Sequence, residues 1–307
     1  MTDVAHSGVG DARAALSRIT DVFLMLWRDK FAFVSALFLL FVIYVTILGS
    51  SILPDGALTM NLRARNAPPF DLERGWVYIL GADNLGRSLL ARLAVGARYT
   101  LLIAGSAVII ALVIGAFFGL IAGYRGGWIG TIILRLADIV MSFPSLLLAL
   151  IVLFVLSPQV SNVVLVLALS RVPVYLRTCR AEVLEIRERQ FVVAARALGA
   201  SHARMVFVHI LPNALPTLMT LATLEFAAVM LSESSLSFLG LGVQAPAVTW
   251  GLMVSDGRGY LATAWWLSFW PGVAISLTAI SANLLANWLR TALDPAQRWR
   301  LEARSKS

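Results

Sequence analysis

The chain has 307 residues, 59% of them hydrophobic and 14% charged, and its mean hydropathy is +0.82. A soluble domain of this length needs more polar material to cover its surface, so the composition points to an integral membrane protein. The net charge of +8 does not read as a nucleic-acid surface, because the basic residues flank apolar stretches, and neither of the two lysines, Lys30 and Lys306, follows a glycine, which excludes a phosphate-binding Gly-Lys-Ser/Thr loop.

Residues 1–30 form a charged tail ahead of the first apolar run, too long and polar for a cleaved signal peptide. Within 12–30, Leu16, Ile19, Phe23 and Leu26 recur at helical intervals among Arg13, Arg18 and Arg28. That spacing fits an amphipathic helix on a membrane surface, and a partly ordered tail fits it equally. A span needs about 20 apolar residues to cross a hydrocarbon core of ~30 Å. Six stretches meet that need: 31–53, 99–123, 132–156, 160–176, 214–240 and 266–289. The fourth is short and carries Arg171 and Pro173. The expected organisation is therefore a tail, a first span, a loop at 54–98, a five-helix core at 99–290 and a tail at 291–307.

With the N-terminus inside, inner segments hold 16 basic residues and outer segments 7. This bias places both termini and the polar insert at 178–212 in the cytoplasm. Trp250, Trp265, Trp266 and Trp270 gather near one end of the last span, with Trp288 and Trp299 near the other, as interface anchors do.

Inside the apolar stretches, Gly115, Gly119 and Gly123 recur every fourth residue, a stripe for close helix packing. Arg135 and Asp138 stand one turn apart and are expected to pair with each other. Glu225 and Glu233 are about 12 Å apart along a helix and ~80° apart around it, too far to act as one carboxylate pair. Glu225 is expected to face a cavity shared with a partner chain. Glu233 is expected to bond locally with Ser232, Ser234 or Ser235. Both are candidate translocation-pathway residues. Cys179 is the single cysteine, so no intrachain disulfide can form, and His6, His202 and His209 are too scattered for a metal site.

The insert at 178–212 reads as helix, glycine, helix, proline. Glu185 and Arg189 form an i,i+4 pair of favourable polarity. Gly199 offers a left-handed stop, Ser201 can cap a second short helix, and Pro212 disfavours helix in the residue before it. The patch Ala194-Ala195-Arg196-Ala197-Leu198-Gly199 has little bulk, which suits a helix end that docks into another protein. An ordinary surface connection between spans fits the same residues.

At this point the sequence resembles the inner-membrane permease subunits of ABC importers. Their cytoplasmic signature is Glu-Ala-Ala, three residues, Gly, nine residues, then Ile-x-Leu-Pro. Ala194, Ala195, Gly199, Leu211 and Pro212 match it, while Val193 replaces the glutamate and His209 the isoleucine. The resemblance covers nearly the whole chain and narrows to the oligopeptide, dipeptide and nickel branch, among its C-type dipeptide permease subunits. Leu80-Gly81-Ala82-Asp83-Asn84-Leu85-Gly86-Arg87 is similar to that branch's outer-loop signature, with Ala82 and Ser88 where threonine and aspartate are usual. Gly123-Tyr124-Arg125-Gly126-Gly127-Trp128, Ser142-Phe143-Pro144, Leu236-Ser237-Phe238-Leu239-Gly240-Leu241-Gly242, Trp250-Gly251 and Leu293-Asp294-Pro295 also fit.

The resemblance implies an all-α, six-span permease of the type I importer fold with cytoplasmic coupling helices. It implies coupling to ATPase subunits through Ala194, Ala195, Arg196, Gly199, Ala200, Ser201, Leu211 and Pro212. The expected partners are a second homologous permease, two ATP-binding subunits and an extracytoplasmic binding protein, periplasmic or lipid-anchored, in a bacterial inner membrane. ATP and Mg would belong to the ATPase subunits, with no cofactor and no catalysis in this chain. Peptides are the branch's default substrate, and nickel, glutathione, opines and oligosaccharides are its alternatives. A secondary transporter would need a coupling-ion site on broken helices, for which Glu225 is thin support. A membrane enzyme would need a nucleophile–base or metal constellation, and His202 and His209 do not supply one.

Overall fold

The computed structural model describes residues 24–49, 53 and 57–293. The expected surface helix at 12–30, the Leu293-Asp294-Pro295 motif and Trp299 therefore lie wholly or largely outside the described residues. The described part is helical, with a single bridge between Ala82 and Ser88. Five of its helical segments are long and apolar enough to cross a membrane, six if one bent pair counts as a span.

Helix α1, Lys30–Tyr44, begins where the Asp29 carboxylate accepts the Ala32 amide at 3.1 Å, and it widens into a π turn at Val45–Gly49. Helix α2, Leu89–Arg125, starts ten residues earlier than the apolar stretch suggests, because Ser88 caps it. The expected third span at 132–156 takes the form of two helices, α3, Gly127–Met141, and α4, Ser145–Leu156, which meet at 84°. Pro144 opens α4 and has no N–H to continue the ladder, so the chain turns at Ser142-Phe143-Pro144. Beside this elbow lies an apolar cavity of about 380 Å³, lined by residues such as Phe118, Leu136, Val152 and Val172.

Helix α5, Val160–Ile186, runs unbroken past 176, so the first helix of the insert is the end of this span. Its packing on α2 is the most extensive helix pairing among the described residues. A Cβ on Gly115, Gly119 or Gly123 would stand 2.4, 2.6 or 2.7 Å from the Cβ of Tyr175, Cys179 or Val183. The glycine stripe thus lets two helices touch backbone to backbone, as its spacing predicts.

After α6, Gln190–Ala197, a short α7, His202–Arg204, widens into a π turn at Met205–Ile210 and continues as α8, Leu211–Phe238. The expected break before Pro212 does not occur. Pro212 falls at the start of α8, where the wide turn leaves no α-type bond for its missing N–H to make. Helices α9, Trp250–Gly257, and α10, Trp266–Leu293, complete the bundle. Most of the tryptophans near α10 are packing residues rather than interface anchors. Trp250, Trp266 and Trp288 are buried. The Trp250 indole donates to the Leu93 carbonyl at 2.9 Å, and that of Trp266 to Ala82 at 3.4 Å. Trp265 does remain exposed.

Candidate functional site

Three clusters of polar or exposed residues stand out. The first is the loop joining α5 to α8. Arg189 pairs with Glu185 at 2.7 Å, as the i,i+4 spacing requires. Helix α6 ends at Gly199, whose φ is +80°. There the Ala200 amide reaches back to the Ala195 carbonyl at 3.1 Å and the Gly199 amide to Arg196 at 3.0 Å, closing a Schellman-type turn. Ser201 then caps α7 by accepting the Arg204 amide at 3.4 Å.

The underside of this loop is apolar and anchored. Val192, Met205 and Ile210 are buried with Leu120 of α2 and with Cys179, Val183 and Ile186 of α5. Two polar ties hold the same joint: Arg187 donates to the Gly123 carbonyl at 3.1 Å, and the Tyr124 hydroxyl lies 2.8 Å from Nδ1 of His202. The upper side carries no such cover. Ala194, Arg196, Ala197, Gly199 and Ser201 are exposed, Val193 with them, and Leu198 is 89% exposed. Ala195, Ala200 and Leu211 are half-buried and Pro212 is exposed. The result is a low-relief knob with one apolar tip and one guanidinium, anchored from below.

The second cluster lies within the spans. Glu225 of α8 meets Arg171 of α5 at 3.3 Å, and Arg171 also donates to Ser232 Oγ at 3.0 Å. Sequence reasoning singled out Glu225 but missed its partner. The usable signal was that a charge in a span needs a countercharge. Glu233 is fully buried and accepts from Ser237 Oγ at 2.8 Å. Ser234 and Thr249 are its other polar neighbours. Of the three serines expected around it only Ser234 is among them, and its burial takes it out of any pathway on the chain's surface. The expected Arg135–Asp138 pair is also corrected: Asp138 bonds Arg177 across the α3–α5 contact, because Arg135 points to the exposed face of α3.

The third cluster ties the 57–88 segment to the bundle. The Asp83 carboxylate accepts the amides of Leu85 and Arg87 at 2.9 and 2.8 Å and the Arg87 guanidinium at 2.7 Å. It also bonds the buried Arg92 of α2, which in turn reaches Asp256 of α9 at 3.4 Å. Burial alone would push the Asp83 carboxyl up. The Arg87 amide, the Arg92 charge and the Arg87 guanidinium outweigh it and hold the group below its ordinary 3.8. Among the described residues no group of His, Cys, Asp and Glu could hold a metal.

The family described as binding-protein-dependent transport system inner membrane component matches residues 115–299, which include the whole α5–α8 loop. The chain is 40% identical over 269 residues to the di/tripeptide transport system permease protein DppC of Pseudomonas aeruginosa, covering 87% of this chain and 89% of that one. It is 37% identical to the dipeptide transport system permease protein DppC of Alkalihalophilus pseudofirmus, over 93% and 92% of the two chains. It is 38% identical to the dipeptide transport system permease protein DppC of Escherichia coli, over 96% and 99%.

Proposed function

The chain belongs to the family of binding-protein-dependent transport system inner membrane components, and from that premise we infer that it is the permease subunit of an ATP-driven importer of short peptides. It forms half of the pathway, beside a second, homologous permease. An extracytoplasmic binding protein delivers the peptide, and two separate ATPase subunits bind ATP and Mg. The subunit sits in a bacterial inner membrane with both termini and the α5–α8 loop in the cytoplasm, and its 57–88 segment faces outward. The peptide assignment draws on the relatives' names, which specify dipeptides or di/tripeptides.

The observation that carries the reading is the α5–α8 loop itself. An exposed small-residue helix end with a protruding Leu198 is fixed from below to both adjoining spans. Ala194, Ala195, Arg196, Gly199, Ala200 and Ser201 form the face offered to an ATPase, and Leu211 and Pro212 lead the force into α8. The helical run from His202 to Phe238 has no interruption. A push at His202 therefore acts on Glu225, about 35 Å further along the same rod. Chemistry stays in the ATPases, and this chain transmits their closure as a tilt or rotation of α5 and α8.

The test is the assembled complex in liposomes. Loaded binding protein should accelerate its ATP hydrolysis and drive peptide uptake. Absence of stimulation, or of any co-purifying ATPase, would overturn the reading.

A further inference from the structure

A charged side chain at mid-span costs about 2.5–3.5 kcal/mol on insertion scales, so Arg171 and Glu225 need a reason to be there. Arg171 lies 11 residues from the start of α5 and Glu225 13 residues from the end of α8. Both are thus about 16–20 Å from the same end of the bundle, near the middle of a bilayer.

Mutual neutralisation does not account for their arrangement. A pair kept only for that purpose would be closed on itself, with its remaining donors and acceptors satisfied. Here Arg171 Nη1 and Glu225 Oε2 touch at 3.3 Å, but among the described residues that contact lacks hydrogen-bond geometry, and Arg171 Nε has no partner at all. The same holds for the hydroxyl of Tyr175. Tyr175 stands one turn below Arg171 on α5, is fully buried and lies in the field of both charges. Buried polar groups in native proteins are paired as a rule. Two unsatisfied groups and one loosely held carboxylate of complementary kind gather here: a cationic donor, a hydroxyl that can donate or accept, and an anionic acceptor. The pair is also partly open, with the Arg171 and Glu225 side chains 21% and 15% exposed.

We propose that Arg171, Tyr175 and Glu225 form a mid-membrane site for the charged ends of a short peptide, whose carboxylate takes Arg171 and whose ammonium takes Glu225. The Tyr175 hydroxyl bonds the carboxylate beside Arg171. The proposal rests on the peptide-importer reading above. A zwitterionic peptide and the Arg171–Glu225 pair each carry no net charge, so exchanging one ion pair for two brings no uncompensated charge into the low-dielectric interior. Release is built in, because closing Arg171 on Glu225 again withdraws both countercharges. A lone Arg or a lone Glu would hold one end of the peptide and offer no such return.

The experiment measures peptides delivered per ATP hydrolysed by the complete importer in liposomes, with loaded binding protein, for wild type and two variants. Tyr175→Phe removes an oxygen that no group among the described residues bonds, so a purely structural role predicts no change. The double variant Arg171→Gln, Glu225→Gln removes both charges together and strands neither, a change that a structural ion pair tolerates. The ratio is expected to fall about tenfold in the first and further still in the second, as befits loss of one and of several hydrogen bonds to charged groups. Wild-type ratios in both variants would overturn the site. So would failure of the double variant to assemble combined with an unchanged ratio for Tyr175→Phe. A wild-type complex that hydrolyses ATP but imports no peptide sinks the importer reading itself and this site with it, and the wild-type measurement alone separates that failure from the others.

Discussion

The Tyr124 hydroxyl and Nδ1 of His202 stand 2.8 Å apart and join the last turn of α2 to the first residue of α7. Their rings meet edge to face at 5.7 Å. This is one of two polar ties between the loop and a span it does not adjoin in sequence. Tyr124→Phe should lower binding-protein-stimulated ATP hydrolysis about two- to threefold, the scale of one partly exposed hydrogen bond. His202→Ala should do the same, and the double variant should be no worse than either single one. Additive losses would mean that the two side chains act apart.

Gly119 separates packing from mere presence in a helix. Its missing Cβ leaves room for Cys179, 2.6 Å from where that atom would be, whereas a Cβ on Gly105 of the same helix meets nothing within 4 Å. Gly119→Val should cost about 1–3 kcal/mol of stability by overpacking. Gly105→Ala should cost nothing. Thermal unfolding in detergent checks both, and equal midpoints would contradict the close α2–α5 contact.

At Gly199 there is open space around the absent Cβ, so only the backbone conformation constrains the residue. At φ +80° an ordinary side chain costs about 1–2 kcal/mol, while asparagine visits this region readily. Gly199→Val should insert normally and lose stimulated ATP hydrolysis; Gly199→Asn should keep most of it. If both variants behave alike, the turn geometry is not what the ATPase needs.

Asp83 makes a prediction about pH. Its folded-state pKa is lowered, so it contributes stability in full above the ordinary 3.8 and loses that contribution as pH falls through the lower folded value. Asp83→Asn leaves Arg92 buried without its main countercharge and should cost about 3–5 kcal/mol at neutral pH. The melting curves of the variant and the wild type should draw together only below about pH 4. Convergence already near pH 6 would mean that the carboxyl is raised rather than lowered.

The helical framework and the loop's turns were legible in the sequence because they depend on neighbours within one turn. The Glu185–Arg189 pair, the Gly199 stop, the Ser201 cap and the Gly115-Gly119-Gly123 stripe all belong to this class. Arg171 with Glu225 and Arg177 with Asp138 were not legible. Each depends on the axial register of two helices, α5 against α8 in the first and α5 against α3 in the second, which no local spacing records. Trp250 misled for a related reason: its amphipathic ring suits an interface, but a carbonyl on α2 was near enough to satisfy its N–H. Pro212 misled because a one-residue widening upstream absorbs the missing donor.

The elbow between α3 and α4 has a consequence for how the subunit stands in the bilayer. Neither arm reaches across alone, since 15 and 12 residues give only about 22 and 18 Å. No side chain caps α4, and among the described residues the amides of Ser145, Leu146 and Leu147 have no acceptor, the first backbone bond being Leu148 to Pro144 at 3.0 Å. Acyl chains offer nothing to such donors. Wherever the elbow lies within the hydrocarbon, those donors need water or another polypeptide beside them. The free amides behind one proline thus favour a polar neighbour over lipid at the elbow.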